Sequence, residues 1–242
     1  MDSYRPRTRL YVPVAALEEG AAVSAGHAHA HHLRAVLRAQ VGDAVEIFNG
    51  KDGAFGAEIT ALAKAAVQLR VLHKVAGQER LPPLTLAFAV LKKERTQMVV
   101  EKVTELGAAV IIPFTSARSQ GQALKQLSAE KLQAYVIQAC EQCGRTSLPS
   151  IAPAARFADI LAHEGQLLYA DEIQAGTRLS WPQSDGPVTL MIGPEGGWAP
   201  EERSALEAAP HAHPITLGPR ILRAETAAIA ALSLWQQTHG DW

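Results

Sequence analysis

The sequence predicts an α/β protein in two parts: a small β-rich module, then a larger domain with a mostly parallel sheet covered by helices. Two observations carry this prediction. Short apolar runs broken by turn dipeptides dominate the beginning of the chain, whereas strand-like and helix-like segments alternate in the remainder. Polar residues and paired prolines mark the change at 77–84, so we expect domains at 1–75 and 76–242.

The composition narrows the class of protein. A chain of 242 residues with 48% hydrophobic content can bury a sizeable core. A net charge of -1 excludes a generally basic surface, so any nucleic-acid contact must come from a local patch. No apolar run approaches the roughly 18 residues that a membrane span needs, and no apolar export segment opens the chain. With only two cysteines, we expect a cytoplasmic protein with no membrane association.

The opening segment is basic. Arg5, Arg7 and Arg9 alternate with other residues and are candidate contacts to RNA phosphates, although a short basic terminus can also be merely solvated. A helix is expected next over residues 29–43, where Leu33, Val36 and Leu37 recur at helical spacing.

Two arginines of that predicted helix are further candidates for RNA contact. Arg34 and Arg38 lie four residues apart, which would place them on one helix face. A solvated basic face is the alternative. The strands that follow form a predicted hairpin over residues 44–62, because Asn49-Gly50 and Asp52-Gly53 suit tight turns, and residues 66–75 alternate as another strand.

The second part alternates strands with helices. Gly107 is expected to end the first of its helices. The predicted strands are 84–91, 109–114, 166–172, 188–193 and 213–217, and the predicted helices are 94–106, 128–145, 200–209 and 223–237.

Two predicted strands run directly into stiff Gly-Pro loops, "IGPEGG" at 192–197 and "LGPRILRAETA" at 217–227. Ligands of open α/β sheets bind beyond the carboxyl ends of the strands, so two such loops at one edge can form a pocket. Neither loop has the Gly-Lys-Ser/Thr ending of a P-loop or the spacing of a dinucleotide turn. A phosphate cradle is therefore not expected.

A histidine-rich run and a Cys-x-x-Cys pair invite a metal interpretation. The run at 27–32 has no neighbouring carboxylate or cysteine cluster, and Cys140 with Cys143 would need two further ligands for zinc. We therefore expect no metal.

The motifs together resemble the ribosomal RNA small subunit methyltransferase E family, of the SPOUT class of S-adenosylmethionine-dependent methyltransferases. The resemblance spans almost the whole chain. It includes "HHLRAVLR", "EKVTELGA", "QACEQCGR", "IGPEGGWAPEE" and "LGPRILRAETA". It implies a PUA-like RNA-binding domain, a trefoil-knotted SPOUT domain with helices on both faces of its sheet, and a homodimer. The implied reaction is methylation of uridine N3 in small-subunit (16S) ribosomal RNA, on an assembled or nearly assembled subunit, with S-adenosylmethionine as cofactor.

The resemblance also implies which residues form the cofactor pocket. The two Gly-Pro loops would supply most of it, and residues 169–172 match the family more loosely as a third loop. The pocket residues carried over by motif are Gly193, Pro194, Glu195, Gly196, Gly197, Leu217, Gly218, Arg220, Ile221, Leu222, Arg223 and Thr226.

Two of the residues beside this pocket are candidate catalytic groups. Uracil N3 carries a proton at neutral pH, so Glu225 could accept that proton while Arg223 stabilises negative charge on the uracil oxygens. The alternative is structural: an Arg223–Glu225 ion pair, or capping of the last helix.

Two departures from the family pattern concern RNA or dimer contacts. Gln97 stands where the family usually has an acidic residue, and Ala117-Arg118-Ser119 replaces a common "ERS". Two rival functions remain, a non-catalytic RNA-binding protein and a SPOUT methyltransferase acting on transfer RNA. The intact Gly-Pro loops with Arg223 disfavour the first, and the N-terminal β module joined to "RILRAETA" disfavours the second.

Overall fold

The computed structural model describes residues 6–119, 128–174 and 186–242. Arg5, one of the candidate RNA contacts, lies outside them. The chain divides into two compact units. The first comprises Met1–Arg80 with Cys140–Leu148, and the second comprises Leu81–Ala139 with Pro149–Trp242.

The first unit is built on a sheet with five strands among its described residues, in the order β1-β3-β4-β5-β2. The first pair is parallel and the others are antiparallel. The strands are β1 (Arg9–Tyr11), β2 (Ala22–Ala25), β3 (Ala44–Phe48), β4 (Ala54–Leu62) and β5 (Val67–Ala76). The predicted β3–β4 hairpin is confirmed, whereas β2 was not predicted because "AVSA" contains no sustained apolar run.

The turn of that hairpin is stabilised by its own side chains. Asn49 Oδ1 accepts hydrogen bonds from the amides of Lys51 and Asp52 at 3.1 and 3.0 Å. Asn49 Nδ2 also donates to the Asp52 carboxylate at 2.7 Å, as does the amide of Leu17 at 2.9 Å. These two bonds lower the pKa of Asp52.

The helix expected over 29–43 is shorter than predicted. Helix α1 (His27–His31) passes into a π-helical turn, His32–Val36, and Arg38 adopts a left-handed φ of 50°. The chain then turns away, as the amide of Ala39 bonds to the carbonyl of Leu33. The expectation that Arg34 and Arg38 share one helix face was therefore wrong. Val36 is 62% exposed and is not on the buried face.

The second unit contains a wholly parallel sheet among the described residues, in the order β12-β10-β11-β6-β7-β8, with β9 also paired to β7. The prediction of a parallel sheet is confirmed. The strands are β6 (Leu84–Ala89), β7 (Val110–Thr115), β8 (Ser150–Ile151), β9 (Ala155–Arg156), β10 (Gln166–Ala170), β11 (Val188–Ile192) and β12 (Ala212–Ile215).

Helices cover both faces of this sheet. They are α2 (Lys93–Glu105), α3 (Ala129–Cys143), α4 (Phe157–Leu161), α5 (Pro200–Ala208) and α6 (Ala224–His239). Ile160 of α4 and Leu206 of α5 pack with Tyr169 and Met191 on one face. Helices α2 and α6 pack on each other, and α6 also contacts β6 and β11. Since strand side chains alternate, buried residues such as Leu190 belong to the opposite face.

The predicted stop of the first helix in this unit is confirmed. Gly107 follows α2 with a φ of 87°, and Gln236 Nε2 of α6 donates to the carbonyl of Leu106 at 2.6 Å. The end of α2 is thus fixed against α6. In the described parts of the chain, no helix has the length and apolarity required to cross a membrane.

Candidate functional site

A pocket of about 290 Å³ lies within the second unit, at the carboxyl ends of three neighbouring strands, β10, β11 and β12. Residues 170–172, 192–198, 215–218 and 220–222 line it, together with Ala224 and Ala227 at the start of α6. This is the edge at which open parallel sheets bind ligands. The two Gly-Pro loops, far apart in sequence, face each other because their strands flank β10.

Most of the residues assigned to the cofactor pocket meet here. Ala170, Asp171 and Glu172 supply the third loop. Arg223 and Thr226 do not line the pocket. Both are exposed, Arg223 at the N-cap of α6 and Thr226 in its first turn. The expected residues that line the pocket are Gly193, Pro194, Glu195, Gly196, Gly197, Leu217, Gly218, Arg220, Ile221 and Leu222.

The loop after β11 requires glycine at Gly197. Its φ is +69°, and a Cβ there would lie 2.5 Å from Glu172 Oε1. Gly196 differs, since a Cβ on it would meet only Arg118 side-chain atoms at 3.5 Å, an ordinary contact. The Glu172 carboxylate ends a flexible side chain that can shift, so the left-handed φ is the stronger reason for glycine at this position.

Trp198 fixes this loop to the sheet. Its indole is 3% exposed, and Nε1 donates to the carbonyl of Ala170 at 3.0 Å. The ring stacks near Phe114 and meets Tyr169 edge-on. The sequence interpretation did not single out Trp198, although a tryptophan directly after the Gly-Pro loop was a usable signal.

The charge of the pocket is mainly negative. Asp171, Glu172 and Glu195 line it, with Arg220 as the single arginine among the lining residues. Asp171 is 5% exposed and is held by Arg203, whose Nη1 lies 2.7 Å from Asp171 Oδ1. Arg203 Nη2 also reaches Glu172 Oε1 at 3.3 Å. Such a lining favours a ligand that carries positive charge over one that carries phosphates.

Arg95 connects the pocket to the candidate catalytic residue. Its Nη1 forms an ion pair with Glu195 Oε1, and its Nε lies 3.9 Å from Glu225 Oε1. Glu225 is only 8% exposed, and its Oε2 has no hydrogen-bond partner within the described ranges. A buried carboxylate oxygen without a hydrogen-bond donor carries a desolvation cost that a donor group would relieve.

Sequence reasoning missed Arg95. The usable signal was its place just after β6, the strand that neighbours β11, since the carboxyl ends of both strands meet at the same edge.

The loop after β7 supports the pocket from outside. Glu202 of α5 accepts hydrogen bonds from Ser116 Oγ at 2.9 Å, from the Ala117 amide at 2.8 Å and from the Ala199 amide at 3.1 Å. Arg118 Nη1 donates to the carbonyl of Gly196 at 2.8 Å. The departure at 117–119 was expected to concern RNA or dimer contacts and to leave the cofactor loops untouched; that expectation was wrong, because Arg118 contacts the pocket loop directly.

Some of the arginines predicted to contact RNA already form ion pairs within the protein, and others do not. Arg7 pairs with Asp43 at 2.7 Å. Arg9 pairs with Glu46 at 2.5 Å, donates to the carbonyl of Cys140 at 3.1 Å and lies 4.9 Å from the ring centroid of Phe48. Arg34 and Arg38 are exposed, and neither forms an ion pair with any described residue.

The cysteines and histidines that invited a metal interpretation differ in burial and in hydrogen bonding. Burial raises the pKa of the Cys140 thiol to about 12, whereas Cys143 is exposed. His29 Nε2 lies 2.9 Å from Glu141 Oε1. Over the part of the chain that the structure describes, no group of three or more His, Cys, Asp or Glu side chains could hold a metal ion.

Known proteins resemble the chain over nearly its whole length. A family model described as an RNA methyltransferase domain matches residues 78–236, and one described as an RNA methyltransferase PUA domain matches residues 28–72. Ribosomal RNA small subunit methyltransferase E of Rickettsia conorii is 33% identical over 230 residues, 93% of each chain. The Synechocystis protein of the same name is 36% identical and covers 88% of this chain and 72% of its own.

Two solved structures have the same fold. The crystal structure of a ribosomal RNA small subunit methyltransferase E from Neisseria gonorrhoeae, bound to S-adenosylmethionine, is 32% identical with a TM-score of 0.85, and covers 97% of this chain and 99% of its own. A methyltransferase from Legionella pneumophila, also with bound S-adenosylmethionine, is 32% identical with a TM-score of 0.86, and covers 96% and 98%.

Proposed function

Because the chain belongs to the ribosomal RNA small subunit methyltransferase E family, we propose that it methylates N3 of a uridine in small-subunit ribosomal RNA with S-adenosylmethionine. The observation that carries this proposal is the carboxylate-lined pocket at the edge of the parallel sheet. Two relatives of the same fold have S-adenosylmethionine bound.

The residues of the pocket fit the proposed cofactor. Ile192, Leu217 and Leu222 offer apolar surface for an adenine ring. Leu217, Ile221 and Leu222 make no backbone–backbone hydrogen bond within the described ranges, so their N–H and C=O groups can meet the polar edge of the base. Asp171 and Glu172 can accept hydrogen bonds from ribose hydroxyls, and the negative lining suits the cationic sulfonium and ammonium groups.

S-Adenosylmethionine supplies an electrophilic methyl group on a sulfonium. The protein must turn uracil N3 into a nucleophile, and Glu225 is the proposed acceptor of its proton. A buried carboxylate with one oxygen free of hydrogen bonds suits that role. Arg223 is proposed to stabilise the negative charge that spreads onto the uracil oxygens.

The described contacts do not support the two structural alternatives for Arg223, which are capping of the last helix by its side chain and an ion pair with Glu225. The Arg223 side chain forms no capping hydrogen bond at α6. Among the described residues, Glu225 has its ion-pair contact with Arg95 rather than with Arg223. Arg223 is therefore an exposed guanidinium beside the pocket, available to a substrate.

The remaining features of the family belong to the same proposal. Residues 1–75 would bind RNA, and residues 76–242 would form the methyltransferase domain with a trefoil knot. The protein would act in the cytoplasm as a homodimer on an assembled or nearly assembled subunit. Ile221, 81% exposed in the pocket loop, is apolar surface that a second copy could cover.

Methyl transfer in vitro tests this function. Purified protein, labelled S-adenosylmethionine and either small ribosomal subunits or transfer RNA are incubated, and the RNA is digested to nucleosides. We expect labelled N3-methyluridine from the ribosomal substrate only. Label on transfer RNA, or at another atom of the base, would overturn the proposal.

A further inference from the structure

Arg203 of α5 does not line the pocket, yet it holds the most buried of the carboxylates that do. Its Nη1 lies 2.7 Å from Asp171 Oδ1, and the side chains of Arg203 and Asp171 are 16% and 3% exposed. Its Nη2 lies 3.3 Å from Glu172 Oε1, on a side chain that is 36% exposed. The guanidinium therefore reaches both acidic residues of the third loop, and it holds Asp171 more closely than Glu172.

One oxygen of Asp171 is left without a protein donor. Oδ1 accepts hydrogen bonds from Arg203 Nη1 at 2.7 Å and from the Ile173 amide at 3.1 Å. The Asp171 amide donates to the carbonyl of Ile215 in β12 at 3.1 Å. Oδ2 has no hydrogen-bond partner in the ranges that the structure describes. Because the other bonds hold the residue in place, Oδ2 is the oxygen that remains for a ligand of the pocket.

The ion pair decides which ligand group suits Oδ2. Arg203 already balances the charge of Asp171, so the pair gains little from a second cation. Oδ2 is still a strong acceptor, because it belongs to a carboxylate from which water is largely excluded. An uncharged O–H donor therefore fits it best. The proposed cofactor has two such donors, its ribose hydroxyls, whereas the polar edge of its adenine can meet the backbone of Leu217, Ile221 and Leu222.

We propose that Arg203 is a positioning residue that holds Asp171 so that Oδ2 accepts a hydrogen bond from a ribose hydroxyl. The pair thereby selects ligands with ribose over ligands without these hydroxyls, because a buried acceptor left unpaired discriminates strongly between two analogues. Arg203 acts through Asp171, since it does not line the pocket itself. The inference rests on the proposed function in taking S-adenosylmethionine as the ligand of the pocket.

The test compares two nucleosides that differ only in the ribose hydroxyls. Adenosine and 2′,3′-dideoxyadenosine compete with labelled S-adenosylmethionine for wild type and for Arg203→Met. We expect wild type to bind adenosine at least about tenfold more tightly than dideoxyadenosine, the lower end of what a hydrogen bond to a charged group contributes. In Arg203→Met, adenosine should bind about tenfold more weakly and dideoxyadenosine should stay within about twofold of wild type.

Arg156→Met is the matched control. Arg156 pairs with Asp159 at the same distance of 2.7 Å, in the same unit but outside the pocket lining, so its loss should leave both affinities unchanged. The same change at Arg203 is also made in Asp171→Asn, where no buried charge is left unpaired. There, Arg203→Met should alter neither affinity by more than about twofold, because its route of action is gone.

Folding of every variant is checked by thermal unfolding, because Arg203→Met leaves the buried Asp171 without its cation. Arg203→Lys keeps the charge but loses the two-nitrogen fork, and it serves as the test where Arg203→Met does not fold. It should also weaken adenosine selectively, by about threefold or more.

Equal weakening of both nucleosides, or no weakening of adenosine, in the Arg203 variant that folds would overturn the positioning role. The same selective loss in Arg156→Met, or a further loss when Arg203→Met is added to Asp171→Asn, would also overturn it. Methyl transfer to ribosomal RNA is scored separately. If wild type and the variants show the expected nucleoside affinities but wild type forms no N3-methyluridine, the proposed function fails while the role of Arg203 stands. N3-methyluridine formed without that difference between nucleosides would give the reverse result.

Discussion

At the level of single residues, Glu225 is the proposed acceptor of the uracil N3 proton. It is buried beside the pocket, and Glu225→Gln keeps its size while removing the ability to take a proton. We expect kcat to fall by about 10²- to 10⁴-fold, the usual contribution of a general base. Cofactor affinity measured by calorimetry should change little, and near-wild-type turnover would remove Glu225 from the mechanism.

Arg223 has a different expected effect. Its guanidinium is exposed at the N-cap of α6 and forms no side-chain cap bond. Arg223→Ala should lower kcat by about 10²- to 10³-fold, as expected for the loss of one charge-stabilising donor, with an unchanged unfolding temperature. A variant that loses stability but not turnover would favour the structural role instead.

Arg95 should act on the pocket through its two carboxylate partners. Arg95→Met removes the ion pair to Glu195 and the cation near Glu225. We expect weaker S-adenosylmethionine binding and a lower kcat together. The control is Lys93→Met, which also replaces a cation by methionine but at an exposed position of α2, and it should affect neither. Equal effects of the two substitutions on both measurements would show that only helix charge matters.

The two cysteines should differ in their reactivity toward thiol reagents. Thiol reagents attack thiolates, and burial raises the pKa of Cys140 to about 12 while Cys143 is exposed. Native protein at pH 8 should therefore bind one equivalent of reagent, at Cys143, and denatured protein two. Mass spectrometry of the labelled peptides checks the site. Prompt labelling of native Cys140 would contradict its burial.

At the level of elements, the loop after β11 offers a matched pair of glycines. Gly197→Ala places a side chain at a φ of +69° and a Cβ 2.5 Å from Glu172 Oε1, whereas Gly196→Ala meets only ordinary contacts. The left-handed conformation alone costs about 1–2 kcal/mol in a residue with a side chain. We expect S-adenosylmethionine affinity to fall at least about tenfold for Gly197→Ala and to change little for Gly196→Ala. Similar affinities for both variants would show that the loop adapts.

Local sequence patterns predicted the longer elements of the second unit well, but they missed its short elements β8, β9 and α4 and the length of α1. The strands before the Gly-Pro loops are sustained apolar runs, and such runs have few alternatives to a buried parallel strand. The helix over 29–43 had suitable spacing too, yet the bond from Ala39 to Leu33 ended it early. That bond depends on the position of the following chain, which periodicity does not report.

The sequence predicted the loops that line the pocket but not the side chains that hold those loops in place. Residues 192–197 and 217–222 stood out because glycine and proline restrict a backbone in a recognisable way. Arg118 and Arg203 carry no such local signal, since each contacts a loop that is distant in sequence, and for Arg95 the signal was only its place after β6. A trefoil knot came only from the family resemblance, because threaded chains are too rare to expect from patterns alone.

For the whole molecule, we propose a carboxylate-lined pocket for S-adenosylmethionine in the second unit and an RNA-binding module in the first. Binding of S-adenosylmethionine to the folded state should raise the unfolding temperature. At concentrations above Kd, the increase should grow with the logarithm of the S-adenosylmethionine concentration. ATP, which shares the adenosine group but carries phosphates, should raise it much less. Equal shifts for the two ligands would contradict the electrostatic account of the pocket.

The most direct test of the central claim is a map of N3-methyluridine in small-subunit ribosomal RNA from cells with the gene, without it, and complemented with wild type or with Glu225→Gln. We expect one N3-methyluridine that disappears on deletion, returns with wild type and stays absent or strongly reduced with Glu225→Gln. A map unchanged by deletion would contradict it.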